Sequence, residues 1–470
     1  MDWTHRKNRL KNRWRRPGGY HEVLVVAIPL ILSTASWSVQ HFVDRMFLTW
    51  YAPEAIAAAM PAGMLQFSIV SIFMGTAGYV STFVAQYHGA SQHQRIGPAI
   101  WQGIYISVIG GLVLICIIPF AESIFVLIGH DEKIRQYEID YFRTICWGAG
   151  PYLASYAISG FYSGRGRTWP VMWVNTFTTM VNLVLDYILI FGNWGMPEMG
   201  ITGAGLATVI AGIFSLVVFL VLIASEKYNA TYATLKGWRF DKDLFMRVLR
   251  FGLPNGVQFF LEMAGFTGFI LIVGRLGTAS LAATNIAFNI NTLAFMPMIG
   301  CGIAISVLVG QYLGADNPKT AQVSAYSGFH LCMIYMGSIA LAYLVLPDLF
   351  VAPFAVNADA QVFPEIYAMS VILLRFVAIY SLFDTLNIVF ASAIKGAGDT
   401  RFVMFTSTIL SLVVLVLPTY LVVVVFEYGL MASWVMATLY VCLVGIVFYI
   451  RFVGGKWKKM RVIEAGLPGN

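Results

Sequence analysis

The chain has 470 residues, of which 59% are hydrophobic, 15% aromatic and only 11% charged. A soluble domain carries about a quarter charged residues, so an ordinary water-soluble fold is excluded, as are disorder, a collagen-like repeat and a disulfide-stapled secreted domain. The formal charge of +7, from 30 Lys+Arg against 23 Asp+Glu, matters in lipid through where the charges fall.

An opening segment, 1–22, carries seven Lys/Arg, with Arg13, Arg15 and Arg16 nearest the first apolar run. Twelve runs of spanning length follow, near 23–50, 56–87, 98–119, 139–162, 170–192, 202–225, 248–274, 280–313, 323–346, 367–394, 402–425 and 429–452. Pro29, Pro61, Pro254, Pro297 and Pro418 lie inside them and mark expected kinks. The basic opening segment, the basic connection 226–247 and the tail 453–470 place both termini in the cytoplasm of a multi-pass protein of the cell inner (plasma) membrane. The acidic residues of the odd-numbered connections then face outward: Glu54, Asp131, Glu132, Glu138, Asp140, Glu198, Asp348, Asp359, Glu365 and Glu427. The first run is too long for a cleaved signal peptide and lacks a small-residue cleavage site after it. Cys116, Cys146, Cys301, Cys332 and Cys442 fall in apolar runs without ligand spacing and read as small core residues.

The chain repeats itself. Pro29 recurs as Pro254, and Val84-Ala-Gln-Tyr-His-Gly-Ala90 recurs as Val309-Gly-Gln-Tyr-Leu-Gly-Ala315, at one constant offset, with Gly75/Gly300 and Ser81/Ser306 in register between them. Gly164-Arg-Gly-Arg-Thr168 matches Gly396-Ala-Gly-Asp-Thr400 after a short insertion. A duplicated six-span unit follows, with an amino-terminal lobe over 23–225 and a carboxy-terminal lobe over 248–452. Because six is even, the copies are parallel repeats. The expected fold is all-α and integral to the membrane, with twelve transmembrane helices in two six-helix lobes around a central cleft that can rock for alternating access.

Four acids lie well inside spans: Asp44, Asp186, Glu262 and Asp384, two in each half. Insertion scales put each at about 2.5–3.5 kcal/mol at mid-helix, so retention of all four points to function more than to four separate structural hydrogen bonds. Ser33, Trp37, Gln40 and Asp44 form one helical stripe, and Asn175, Thr179, Asn182 and Asp186 form another with the same spacing. Thr208, on the sixth span, falls at similar depth. Two carboxylates, an amide carbonyl and a hydroxyl at one level suit a small hard cation, and a proton is the other candidate. In the second half Asn255, Gln258 and Glu262 share a face, as do Tyr380, Asp384 and Asn387, so Glu262 and Asp384 are expected to pair across the lobe. The acids were not copied by the duplication: Asp44 aligns with Phe269 and Glu262 with Trp37.

Weaker signals are His41, close enough to tune Asp44, and Arg45, expected to snorkel outward. Arg375 is expected to snorkel or to pair with an acid. Met60, Met64, Phe259, Phe288, Met296 and Met298 read first as packing, and as walls suited to bulky organic cations where they line a cleft. No P-loop, HExxH, zinc spacing or GxSxG occurs, so an enzyme is not expected.

The duplicated layout, the stretch Phe42-Val-Asp-Arg-Met-Phe47, the repeated Gln-Tyr-x-Gly-Ala and Gly396-Ala-Gly-Asp-Thr400 resemble the multidrug and toxic compound extrusion (MATE) family over nearly the whole chain. The resemblance implies a secondary active antiporter that exports amphipathic, mostly cationic drugs in exchange for Na+ or H+. It further implies a monomer working in membrane lipid, with no cofactor beyond the coupling ion and no nucleic acid partner. Asp44, Asn182, Asp186 and Thr208, with Ala204, resemble the family's amino-lobe cation site, with Na+ as the candidate metal. Glu262, Asp384 and Tyr380, together with Asn255 and Gln258, are similar to the carboxy-lobe cation or substrate site, and Gln40, His41, Asn175 and Asn387 are accessory candidates. Asp186 is similar to the DinF-type branch, and Glu262 and Asp384 to the NorM type. Two alternatives are a lipid-linked oligosaccharide flippase of related architecture and a membrane-embedded enzyme. The first favours a cleft rich in arginine and lysine, whereas the charges inside these spans are mainly acidic.

Overall fold

The computed structural model describes residues 14–355 and 363–464, so Asp359, most of the basic opening segment and the last tail residues lie outside the described residues. Every regular element among the described residues is helical. The predicted spans appear as α1 Tyr20–Tyr51, α2 Pro53–Gly89, α3 Ile96–Ile117, α5 Trp169–Phe191, α6 Gly200–Ile223, α7 Lys242–Gly274, α8 Thr278–Gly314, α9 Pro318–Val345, α10 Phe363–Ala397, α11 Thr400–Val425 and α12 Leu430–Val453, with α4 between α3 and α5. Among the described residues, eleven helices are long and apolar enough to cross a membrane by length and composition.

The fourth span, α4, departs from expectation. It is two helices of 16 residues, Glu132–Trp147 and Ala149–Gly164, joined at Gly148. Pro151 has no N–H to offer the Trp147 carbonyl, and the Gly148 N–H tightens instead onto Ile145 O at 3.2 Å. The first of these helices carries Glu138, expected in an outer connection but fully buried and hydrogen-bonded to His130 Nδ1 at 2.7 Å. In α11, Pro418 lies between two π-helical stretches, Ser411–Val416 and Leu421–Val425, which absorb the missing backbone bond. The remaining interior prolines sit within unbroken helices. The basic connection also folds: Glu226–Tyr232 is a helix, and α7 begins at Lys242, earlier than expected. Trp101 Nε1 donates to Thr234 O at 2.7 Å and pins this connection to α3.

The helices form two compact units. Among the described residues, one holds the chain up to Ile31 with Leu261–Leu313 and Asn317–Met460, and the other holds Leu32–Phe260, Gly314–Asp316 and the chain from Arg461. α1 thus gives its first turns to one unit and its remainder to the other, and α7 does the same in the opposite sense. Residues repeated by the duplication show why. Gly75 of α2 faces Gly256 of α7 so closely that a Cβ on Gly75 would lie 2.6 Å from the Gly256 Cα. The equivalent Gly300 of α8 faces Ile31 of α1 in the same way, at 2.8 Å from its backbone nitrogen. Gly252 and Gly256 form a GxxxG step, the pattern that lets helix backbones approach in lipid. Gly164 and Gly396 repeat the device, each against a carbonyl: Ser81 O in the first copy, Ser306 O in the second.

Candidate cation site

The two polar stripes read from the sequence meet along α1 and α5. Asn175 Nδ2 donates to Ser33 Oγ at 2.5 Å, Ser36 Oγ and Thr176 Oγ1 lie 3.3 Å apart, and Thr179 Oγ1 donates to Ser36 O at 3.4 Å. Equal spacing on the two helices keeps successive polar residues opposite one another, so the ladder continues for about three turns. It ends in a cluster of three side chains. The Asn182 side-chain amide lies 3.1 Å from Asp44 Oδ1, 3.2 Å from Asp186 Oδ2 and 3.1 Å from Gln40 Nε2, and with its nitrogen turned to that side it donates to both carboxyls. The Asp44 and Asp186 carboxyls lie close enough to interact directly.

Asn182 and Asp186 are fully buried, and Asp186 Oδ1 has no hydrogen-bond partner. Two carboxyl groups in contact need a positive charge between them, either a proton or a metal ion. The Asn182 amide thus has two uses here, its nitrogen as donor to both acids or, after rotation, its carbonyl as the expected ligand to a cation. Thr208 is half-buried on α6, and its hydroxyl donates to Ala204 O at 3.1 Å. Ala204 packs with Leu48 of α1 and Ile190 of α5, with Tyr141 of α4 against them. Tyr141 lies within electrostatic reach of both acids and was not singled out in the sequence, because it falls at the edge of the predicted fourth span. His41 is exposed, with its ring against Trp37 at 4.9 Å, and Arg45 is exposed.

Glu262 and Asp384 belong to the other unit and lie within electrostatic reach of each other. Asn387 Nδ2 donates to Asp384 Oδ1 at 3.0 Å, and Tyr380 and Tyr440 are buried beside Asp384. Lys395 also lies within electrostatic reach of Glu262. Sequence reasoning missed it because the predicted tenth span stopped at 394. α10 continues to Ala397, which puts Lys395 three turns beyond Asp384 on the same face. Asn255 and Gln258 share the helix of Glu262 but belong to the unit of α2, where Asn255 Nδ2 donates to Gly75 O at 2.8 Å. Arg375 is exposed. Among the described residues no cluster of three or more His, Cys, Asp or Glu side chains is placed to hold a metal ion.

The MatE family model matches residues 29–188 and again 254–421, two copies that begin at the repeated prolines. A protein of Bradyrhizobium diazoefficiens described as a probable multidrug resistance protein NorM is 28% identical over 385 residues, 81% of each chain. One of the same description from Thermotoga maritima is 23% identical over 450 residues, 94% of each chain. Among solved structures, an outward-facing multidrug resistance MATE family transporter of the MOP superfamily superposes with a TM-score of 0.85 at 18% identity, over 96% of this chain and 98% of that one. A MOP superfamily transporter from Pyrococcus furiosus, for which a binding pocket of reverse polarity and a different function are described, superposes equally well at 19% identity, over 96% of this chain and 98% of that one.

Proposed function

The chain belongs to the MatE family, whose members are transporters and not enzymes, and on that premise we propose that it is an antiporter exporting amphipathic, mostly cationic drugs in exchange for H+ or Na+. The observation that carries this reading is the Asp44–Asn182–Asp186 cluster, two carboxyls and one amide closed on each other inside the helices, with one carboxyl oxygen left open. Such a pair takes up a proton without rearrangement. Na+ requires Asn182 to rotate and present its carbonyl, with Thr208 and the Ala204 carbonyl as further oxygen donors. In either case the site alternates between a bound cation and two mutually repelling carboxylates, and that repulsion is the free energy available to move the helices that carry them.

Glu262 and Asp384, with Tyr380 and Asn387, form the second acidic site, for the drug or a second cation. Lys395 there offsets one of the two negative charges. The lobe that carries Asp44 and Asp186 and the lobe that carries Glu262 and Asp384 move as the alternating parts, in a monomer embedded in the lipid of the inner membrane with both termini cytoplasmic. Cationic substrates fit the acidic character of both sites, and the drug-resistance description of the NorM relatives supports drugs as the substrate class. An inward-moving charge gains about 2.3 kcal/mol per 100 mV, and that gain contributes to export wherever more positive charge enters than leaves; a one-for-one exchange with a monovalent drug is driven by the ion's concentration gradient alone. The test is dye accumulation in proteoliposomes under an imposed pH or Na+ gradient. One gradient should drive accumulation, and indifference to both removes antiport.

A further inference from the structure

The repeated Gln-Tyr-x-Gly-Ala segment has no part in either acidic site, yet both of its tyrosines hold a carboxylate. In the second copy, Tyr312 Oη donates to both carboxylate oxygens of Glu22, each at 2.8 Å, and Glu22 Oε2 also accepts from the Gly18 N–H at 2.7 Å. At the constant offset of the duplication, Tyr312 corresponds to Tyr87 and Glu22 corresponds to Arg247. The first copy therefore has a guanidinium where the second has a carboxylate, and a guanidinium cannot accept from a tyrosine hydroxyl.

The carboxylate there comes from the end of the chain. Glu464 Oε2 accepts from Tyr87 Oη at 2.8 Å, and Glu464 Oε1 lies 3.0 Å from Arg95 Nη2 and 2.8 Å from Arg247 Nη1. Around it the tail is seated by other bonds. The Val462 N–H donates to Gln86 Oε1 at 2.8 Å, Val462 is 1% exposed, and Arg461 pairs with Asp316 at 3.0 Å. Arg95 reaches in turn to Asp241, whose other oxygen accepts from the Leu244 N–H in the first turn of α7. Burial alone would raise the Glu464 carboxyl. Its own backbone N–H, Tyr87, Arg247 and Arg95 together hold it below the usual carboxylate range.

We propose that Tyr87, Arg95 and Arg247 form a carboxylate-binding site that the chain fills with its own tail, Glu464 acting as a latch that supplies the carboxylate absent from position 247. One carboxylate then joins three elements of the same unit: the end of α2, the turn before α3 and the start of α7. Without it, two guanidiniums face each other and the Tyr87 hydroxyl loses its acceptor. The inference stands apart from the coupling mechanism, and its first readout needs no transport.

Hydrogen exchange at the Val462 amide in the full-length protein is the direct measurement. Glu464→Gln should speed that exchange by about tenfold or more, because the tail opens locally once its charge-assisted bonds are lost. Unchanged exchange in Glu464→Gln overturns the latch. The second arm tests the absent carboxylate. Truncation after Met460 should lower the melting temperature, and adding Arg247→Glu, which returns to Tyr87 the counterpart of Glu22, should recover at least about half of that loss. No recovery, or a further fall, overturns the proposed substitution of Glu464 for Glu22's counterpart.

Discussion

Replacing Asp44 by Asn tests whether the acid pair moves a cation or only joins two helices. The side chain keeps its size, and an amide at position 44 donates to Asp186 where the two carboxyls now meet, so the contact between α1 and α5 survives. An uncharged amide also enters the membrane at no greater cost than an acid, for which insertion scales give about 2.5–3.5 kcal/mol at mid-helix. The melting temperature should therefore stay level or rise. Coupling should behave differently. In a one-for-one exchange of H+ for a monovalent drug, each pH unit supplies about 1.4 kcal/mol, a tenfold drug gradient, so a two-unit step sustains about 100-fold accumulation. With Asp44→Asn that ratio should collapse toward one under either a pH or a Na+ gradient, while dye binding to the detergent-solubilised protein persists. Accumulation at the parental ratio refutes the role of the pair. A loss of accumulation together with a lowered melting temperature refutes it too, because the pair would then be a structural bond.

At the second acidic site, Lys395→Met removes the offsetting positive charge. Charge interactions scale with ligand charge, so a dication gains about twice what a monocation does from this change, and preference for dicationic over monocationic dyes should rise, read as a ratio of efflux KM values. Gly256→Ala would place a Cβ in collision with Ile72 O and 2.6 Å from Thr76 Oγ1, forcing α7 away from α2. A destabilisation of about 1–3 kcal/mol is expected in thermal or denaturant unfolding in detergent, and a neutral result would contradict the close approach. For Glu464 the sign of the pH effect follows from its lowered folded-state value. Its contribution is fully present above the ordinary carboxylate range near pH 4.5 and is lost as pH falls through the lower folded value. The difference in melting temperature between the parent and Glu464→Gln should accordingly be flat from pH 6 to 8 and shrink on acidification. A difference that grows on acidification would contradict the pairing.

Eleven of the twelve expected spans, the duplication and the two polar stripes were legible in the residues alone, because each rests on a local period. Length and apolarity make a span, and equal 4-3-4 spacing on α1 and α5 dictates that Ser33 meets Asn175 and Asp44 meets Asp186 once the helices lie side by side. Three features were decided only in three dimensions. The division of α1 at Ile31 and of α7 at Phe260 depends on where backbones approach at Gly300 and Gly75, and such contacts leave no periodic trace. The orientation of the Asn182 amide, nitrogen or carbonyl toward the two acids, depends on which groups surround it in the folded chain. Lys395 and Glu464 reach their acidic and basic partners over long separations in the chain, and a charge's partner across such a distance is a property of packing. Local chemistry thus wrote the helices and their polar faces, whereas tertiary packing chose which charges would share a site.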